Sequence, residues 1–168
     1  LSGIEVVLKE IKPEFLQAGI QRIEANIKSM VKKGKMKPEK AKAILGRVRG
    51  TLDDRDFANV DMVIEAVIEN LDLKRKIFAT LESIVKPSCI LSTNTSTISI
   101  AKCASEMRNP ERLIGAHFFS PAHVMQLFEI IRVDQTPPQI LVDTLAFSKK
   151  IKKTPVVVGN CTGFCVNR

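Results

Sequence analysis

Tryptophan and tyrosine are absent from this 168-residue chain, and histidine occurs only at His117 and His123. Proteins that hold single-stranded nucleic acid without sequence preference stack bases on aromatic rings, and eight phenylalanines are all this chain offers. The four cysteines (Cys89, Cys103, Cys161 and Cys165) are scattered and form no CxxC pair. That spacing excludes a disulfide scaffold and gives no support to a metal site. No apolar run reaches the roughly 18 residues that a spanning helix needs. The first apolar stretch is broken by Glu5, Lys9 and Glu10, so it does not read as a secretory leader. A GxGxxG turn, the usual cradle for a dinucleotide pyrophosphate, is missing as well. The expectation is a soluble intracellular domain whose thiols are reduced.

What is present is ordinary for a globular protein: 45% hydrophobic and 26% charged residues. The length suits about one domain, able to bury roughly 68–70% of its unfolded surface. The net charge of +8 is not spread evenly. Nine of the 26 basic residues but one of the 18 acids lie between Lys28 and Arg49, so that segment carries the whole excess. A solvated face explains such a patch, and so does a polyanionic partner, either RNA or a phosphate-bearing small molecule. The patch contains no aromatic residue, which favours phosphates on a small ligand over RNA.

The apolar pattern alternates strands and helices. Residues 4–8 read as a buried strand after Gly3, a residue suited to the end of a preceding helix. Leu16, Ile20, Ile23, Ile27 and Met30 step at helical spacing, with Pro13 in the first turn and Gly34 at the close. A helix over 38–45 and a weak strand over 48–52 follow, then a strong strand over 62–67. The next helix spans 70–85, with Leu73, Ile77, Leu81 and Ile84 expected on its buried face. Strands over 89–92 and 113–118 flank a short helix over 98–104, and residues 127–133 are strand-like. Thr136, Pro137 and Pro138 predict an N-cap followed by proline in the first turn of a helix to about 152. The lysines at 149, 150, 152 and 153 suit that helix's C-terminal end, and residues 155–158 form the last strand. Near-continuous apolar strands separated by helices argue a parallel sheet covered on both faces, a single α/β domain.

Several residues stand where chemistry is done in such folds. Glu10 ends the first strand, where an acid bonds the adenosine ribose in dinucleotide-binding folds, although an acid at a strand end is more often simply solvated. His117 lies at the carboxyl end of its strand and Glu129 twelve residues on. A carboxylate behind an imidazole fixes its tautomer and stabilises the cation formed when a proton is taken. The pair fits a general base or a structurally satisfied histidine beside a surface acid. His123 reads as structural. Asn94, Thr95 and Ser96 follow another strand end and offer amide and hydroxyl groups to the same crevice, or form a turn.

Together these segments resemble a known family. Asn94-Thr95-Ser96, the run from Gly115 to Pro121 (GAHFFSP), Glu129, the run from Thr162 to Arg168 (TGFCVNR) and the VIEAVIEN run at 63–70 resemble, in order, the NAD-binding domain of L-3-hydroxyacyl-CoA dehydrogenases. The resemblance covers residues 1–168. It implies a Rossmann-like, doubly wound, mostly parallel sheet lacking its first strand and glycine-rich loop, which the expectation places before Leu1. The absent strand would be central in the sheet, so an isolated piece is expected to be marginally folded and to bind NAD weakly. The HFFSPAH run and the KKTPVVVGNC run at 152–161 are similar to the branch of that family found in multifunctional β-oxidation proteins of plant peroxisomes and glyoxysomes. There the domain follows an enoyl-CoA hydratase region and precedes a C-terminal helical domain.

By this resemblance His117 is the base that takes the 3-hydroxyl proton while C3 gives hydride to NAD, and Glu129 orients it. Ser96 would bond the reacting oxygen and Asn167 would help hold the substrate. Glu10, Glu69, Lys74 and Asn94 would line the cofactor site. Lys33 and Asn26 would meet the phosphates of the acyl-CoA substrate, giving the basic patch an occupant. Two departures flank the base: Ser120 stands where many members have Asn, and Gln126 where many have Pro. The alternative is a non-catalytic RNA-binding module built on the basic patch, in which His117, Glu129, Ser96 and Asn167 have no role.

Overall fold

In the computed structural model, which describes residues 1–161 and 163–166, the chain divides into two units, Leu1–Asp56 and Phe57–Arg168. In the first, strand β1 (Val6–Lys9) runs parallel to β2 (Val48–Thr51), with Leu8 opposite Gly50. Helices α1 (Pro13–Lys32) and α2 (Pro38–Leu45) fill the connection. Both helices begin on a proline, whose missing N–H costs nothing in a first turn. Two glycines let α1 lie close on the strands. A Cβ on Gly50 would come within 2.9 Å of Ile20, and one on Gly19 within 3.2 Å of Leu8. The end of α1 and α2 share a small core of Ile27, Met36, Ala41 and Ile44. Gly34, at φ +68°, makes the turn that ends α1. The ladder starts two residues later than the apolar run does, because Val6 N–H is the first to find a partner, the carbonyl of Arg47.

The second unit is a five-stranded sheet in the order β3 (Met62–Glu65), β4 (Ile90–Thr93), β5 (Leu113–Phe118), β6 (Leu127–Arg132), β7 (Thr154–Gly159). The first three strands are parallel, β6 is antiparallel to β5, and β7 is parallel to β6. Side chains alternate between two separate cores. Leu91, Leu113 and Ile131 point to the face covered by α3 (Leu71–Ile84) and α4 (Ile100–Cys103), where Phe78, Leu81, Ile100 and Cys103 meet them. Ile90, Ile114, Ala116, Phe128 and Ile130 point to the other, against Ile140, Leu141 and Leu145 of α5 (Pro138–Lys150). Cover on both faces is what the apolar strands implied, and the mixed direction follows from the short β5–β6 connection, too short for a parallel crossover. Gly115 is required at the crossing of β5 with β6, since a Cβ there would lie 2.7 Å from Ile131 Cβ and 3.0 Å from Ile100 Cδ1.

Three local expectations are corrected. The inner face of α3 runs through Lys74, Phe78 and Leu81 with Ile77 packed against the same core, so the expected stripe holds at Ile77 and Leu81 and fails at Leu73, which is 37% exposed. The helix is rotated because a lysine occupies the middle of its inner face. Thr136 does not cap α5: its hydroxyl accepts from Val133 N–H, and Pro137 holds the cap position. In the lysine run, Lys149 and Lys150 do close α5, but the Lys153 ammonium donates to the carbonyls of Ala122 and Met125 in the β5–β6 loop.

Candidate active site

Antiparallel pairing of β5 and β6 sets His117 directly opposite Glu129. Residues opposite each other on one face of an antiparallel pair have neighbouring side chains, and here His117 Nδ1 lies 2.7 Å from Glu129 Oε2. Both are buried, Glu129 completely. The second carboxylate oxygen, Oε1, accepts from the backbone N–H groups of Cys165 (3.0 Å) and Val166 (3.1 Å). An ionised carboxylate only accepts, so Nδ1 carries the proton of this contact and Nε2 of the neutral ring keeps a lone pair. The rings of Phe119 and Phe164 flank the imidazole at 4.6 and 6.1 Å. The arrangement is a histidine fixed in one tautomer, walled by apolar rings and backed by a fully bonded anion. It can take a proton at Nε2.

The carboxyl ends of the parallel strands β3 and β4 build a second cluster. Lys74, 1% exposed, donates to Glu65 Oε1 at 2.7 Å and Oε2 at 3.0 Å, and lies 3.3 Å from Glu69 Oε2. Glu65 also accepts from Val67 N–H and the Thr93 hydroxyl. Glu69 turns its other oxygen to the β4–α4 loop, accepting from the Thr95 hydroxyl at 2.5 Å and Ser96 N–H at 3.0 Å. Burial raises the Glu69 carboxyl, but the Thr95 and Ser96 hydrogen bonds and the Lys74 ammonium outweigh it and hold the group below its ordinary value. Thr95 passes the order on, its hydroxyl oxygen accepting from Thr97 and Ile98 N–H. Asn94 joins this loop to the histidine strand: its Oδ1 accepts from Phe118 N–H at 2.8 Å.

The structure thus brings together His117 with Glu129, and Glu69, Lys74 and Ser96 with one another, while Asn94 bridges the two groups. Asn167 lies outside the described residues. Glu10, Asn26 and Lys33 belong to the first unit. Glu10 follows β1, its N–H donating to the Thr51 carbonyl. Asn26 and Lys33 are exposed on α1 and at its C-cap, seven residues apart and so on one face two turns from each other. Other residues of the basic patch are exposed too; Lys28 pairs with Glu24 and Arg49 with Asp56. His123, read as structural, is an exposed turn residue.

Sequence reasoning missed Glu65, Thr93 and the backbone donors of Cys165 and Val166. Of the four free cysteines, Cys89 and Cys103 are buried, and burial pushes the Cys103 thiol up to about 11; Cys161 is half-buried and Cys165 exposed. Among the described residues, no group of three or more His, Cys, Asp or Glu is placed to hold a metal ion, and no helix is long and apolar enough to cross a membrane.

Comparison with known proteins agrees with this geometry. Residues 1–161 match the family model described as 3-hydroxyacyl-CoA dehydrogenase, NAD binding domain. The chain is 56% identical, over its whole length, to the glyoxysomal fatty acid beta-oxidation multifunctional protein MFP-a of Brassica napus, and 54% identical to the peroxisomal protein MFP2 of Arabidopsis thaliana. It spans 23% of the length of each. Among solved structures, the 3-hydroxybutyryl-CoA dehydrogenase of Escherichia coli K12 superposes with a TM-score of 0.95 at 37% identity, over 98% of this chain and 35% of that one. The opposed His117–Glu129 pair therefore sits in a dehydrogenase fold, and the chain belongs to the NAD-binding domain family of the 3-hydroxyacyl-CoA dehydrogenases.

Proposed function

We propose that this chain is one NAD-binding domain of an enzyme that oxidises L-3-hydroxyacyl-CoA to 3-ketoacyl-CoA in fatty-acid β-oxidation, with His117 as general base. The observation that carries the reading is the His117–Glu129 contact of 2.7 Å with Glu129 anchored by two further N–H groups. Oxidising a secondary alcohol needs a base for the hydroxyl proton, and a histidine held in one tautomer with its developing charge stabilised meets that need.

The residues present fit a nicotinamide cofactor. Glu69 and Asn94–Ser96 follow the carboxyl ends of the parallel strands β3 and β4, and His117 lies next to the last residue of β5, the edge of an open α/β sheet where dinucleotides bind. NAD+ when bound supplies the hydride acceptor. Glu10, at the end of β1, takes the adenosine ribose hydroxyls; Glu69, Lys74 and Asn94 order the nicotinamide end of the site. His117 accepts the hydroxyl proton at Nε2, Glu129 stabilises the imidazolium, and Ser96 bonds the substrate oxygen. Asn167, in the matched motif, assists in holding substrate. Lys33 and Asn26 receive the phosphates of CoA by charge-assisted and neutral hydrogen bonds. Flanking hydratase and helical domains complete the protein, and the plant relatives' names point to peroxisomes or glyoxysomes. A free-standing RNA-binding module would leave the buried His117–Glu129 pair without a purpose.

The test is NAD reduction by the full-length protein that carries this domain. With L-3-hydroxyacyl-CoA the wild type reduces NAD, and His117→Ala lowers kcat by about 10²–10⁴-fold with NAD affinity retained. A wild type inactive on 3-hydroxyacyl-CoA, or a His117→Ala protein within a few-fold of it, overturns the reading.

A further inference from the structure

Two carboxylates share one buried ammonium in this fold, and they share it unequally. Glu65 presents both oxygens to Lys74, at 2.7 and 3.0 Å, whereas Glu69 offers one oxygen at 3.3 Å. The free oxygen of Glu69 is what grips the β4–α4 loop through Thr95 and Ser96. A lone ammonium facing a single carboxylate draws both of its oxygens, because a close, desolvated ion pair is stronger than a hydrogen bond from a hydroxyl or an amide.

We propose that Glu65 is a positioning residue: by occupying Lys74 it leaves Glu69 free to fix Thr95 and Ser96. The inference rests on the dehydrogenase reading only for its effect on catalysis, since the ordering of the loop stands on the geometry alone. Glu65 has a second, shorter hold on the same loop. Thr93, whose hydroxyl donates to Glu65 at 2.7 Å, accepts from Thr95 N–H at 3.3 Å. Glu65→Gln keeps the shape of the side chain. Its remaining carbonyl oxygen still accepts from Val67 N–H, and the Thr93 hydroxyl turns round to accept from the new amide. The change falls on Lys74, which loses its anion: it keeps the neutral amide oxygen at the Oε1 position and meets an NH2 group where Oε2 stood. Lys74 then recruits Glu69, and the loop is released.

The consequence separates this role from simple support of the fold. If Glu65 acts by competition, removing the ammonium as well must restore the loop. Glu69 would lose its rival attraction and return to Thr95 and Ser96. A structural role predicts the opposite, with the double variant no better than the single.

The experiment uses the full-length protein in three forms: wild type, Glu65→Gln and Glu65→Gln/Lys74→Met. Hydrogen exchange of the peptide covering residues 94–99 reads the loop directly, and steady-state kinetics at saturating NAD reads its effect. In Glu65→Gln the peptide exchanges faster and kcat falls at least about tenfold, since a shift of about 1 Å in a reacting group costs up to a hundredfold. In the double variant exchange slows again. Unchanged exchange in Glu65→Gln overturns the proposal, as does a double variant that exchanges as fast as the single one. If Glu65→Gln does not fold, Glu65→Asp, one methylene short of Lys74, takes its place under the same criteria. A wild type that fails to oxidise 3-hydroxyacyl-CoA but shows the exchange pattern overturns the function and leaves the positioning role standing.

Discussion

The β5–β6 ladder and the β3–β4 end each bury a glutamate, and the two are neutralised differently. Glu129 faces an imidazole, whose charge changes with one proton, and is otherwise held by backbone N–H groups. Glu65 faces the Lys74 ammonium and is held mainly by side chains. The first arrangement suits a proton that must come and go. The second suits a geometry that must not change. The imidazole pair spans β5 and β6, and the ammonium pair lies behind the β4–α4 loop.

Breaking each partnership should therefore fail differently. The largest effect is expected from Glu129→Gln. The amide can present a donor where the imidazole needs an acceptor, so His117 is left in the wrong tautomer and the imidazolium unsupported. We expect kcat to fall by about 10²–10⁴-fold, with substrate KM moving far less; a loss under tenfold would show that the carboxylate is only structural. Next comes Lys74→Met, which strips Glu65 of its counter-ion in a site 2% exposed. Removing one partner of a buried pair costs about 3–5 kcal/mol, measurable by denaturant unfolding, so the loss appears in stability before catalysis. A Lys74→Met protein as stable as wild type would erase the distinction between the two sites.

The smallest effect sharpens the comparison by pH. The Glu69 carboxyl is held below its ordinary value, so its folded form binds fewer protons than the unfolded chain just below pH 4.5, the usual glutamate value. Its contribution to stability is complete above that pH and is lost as pH falls through the lowered value. Melting temperature followed from pH 6 down to about 3.5 should fall more steeply for wild type than for Glu69→Gln. Parallel curves would mean that the Thr95 and Ser96 contacts do not favour the ionised group.

The sequence made the strand–helix alternation legible because the strands are apolar enough to mark themselves, and the His117–Glu129 pair legible because a histidine at a strand end is rare. It did not show that β6 runs antiparallel, and only that direction places position 129 opposite 117. On α3 the apolar stripe holds at Ile77 and Leu81 and fails at Leu73 for a related reason. Periodicity assumes that the inner face is apolar, and Lys74 lies in the middle of it. A signal was available nonetheless. In β3 Val63 and Glu65 are the buried positions and Ile64 the exposed one, so an acid stands in phase with the core. An acid in that phase demands a cation, and a lysine on the following helix is the nearest supply. Registering the two anomalies together would have located the cluster.

The grip on Glu129 by Cys165 and Val166 comes from main-chain N–H groups, not side chains. Two positions beside the His117–Glu129 pair are thereby tolerant of almost any side chain and intolerant of one residue only: proline, which has no N–H to give. Their contribution is written in the path of the chain, where inspection of side-chain chemistry does not look.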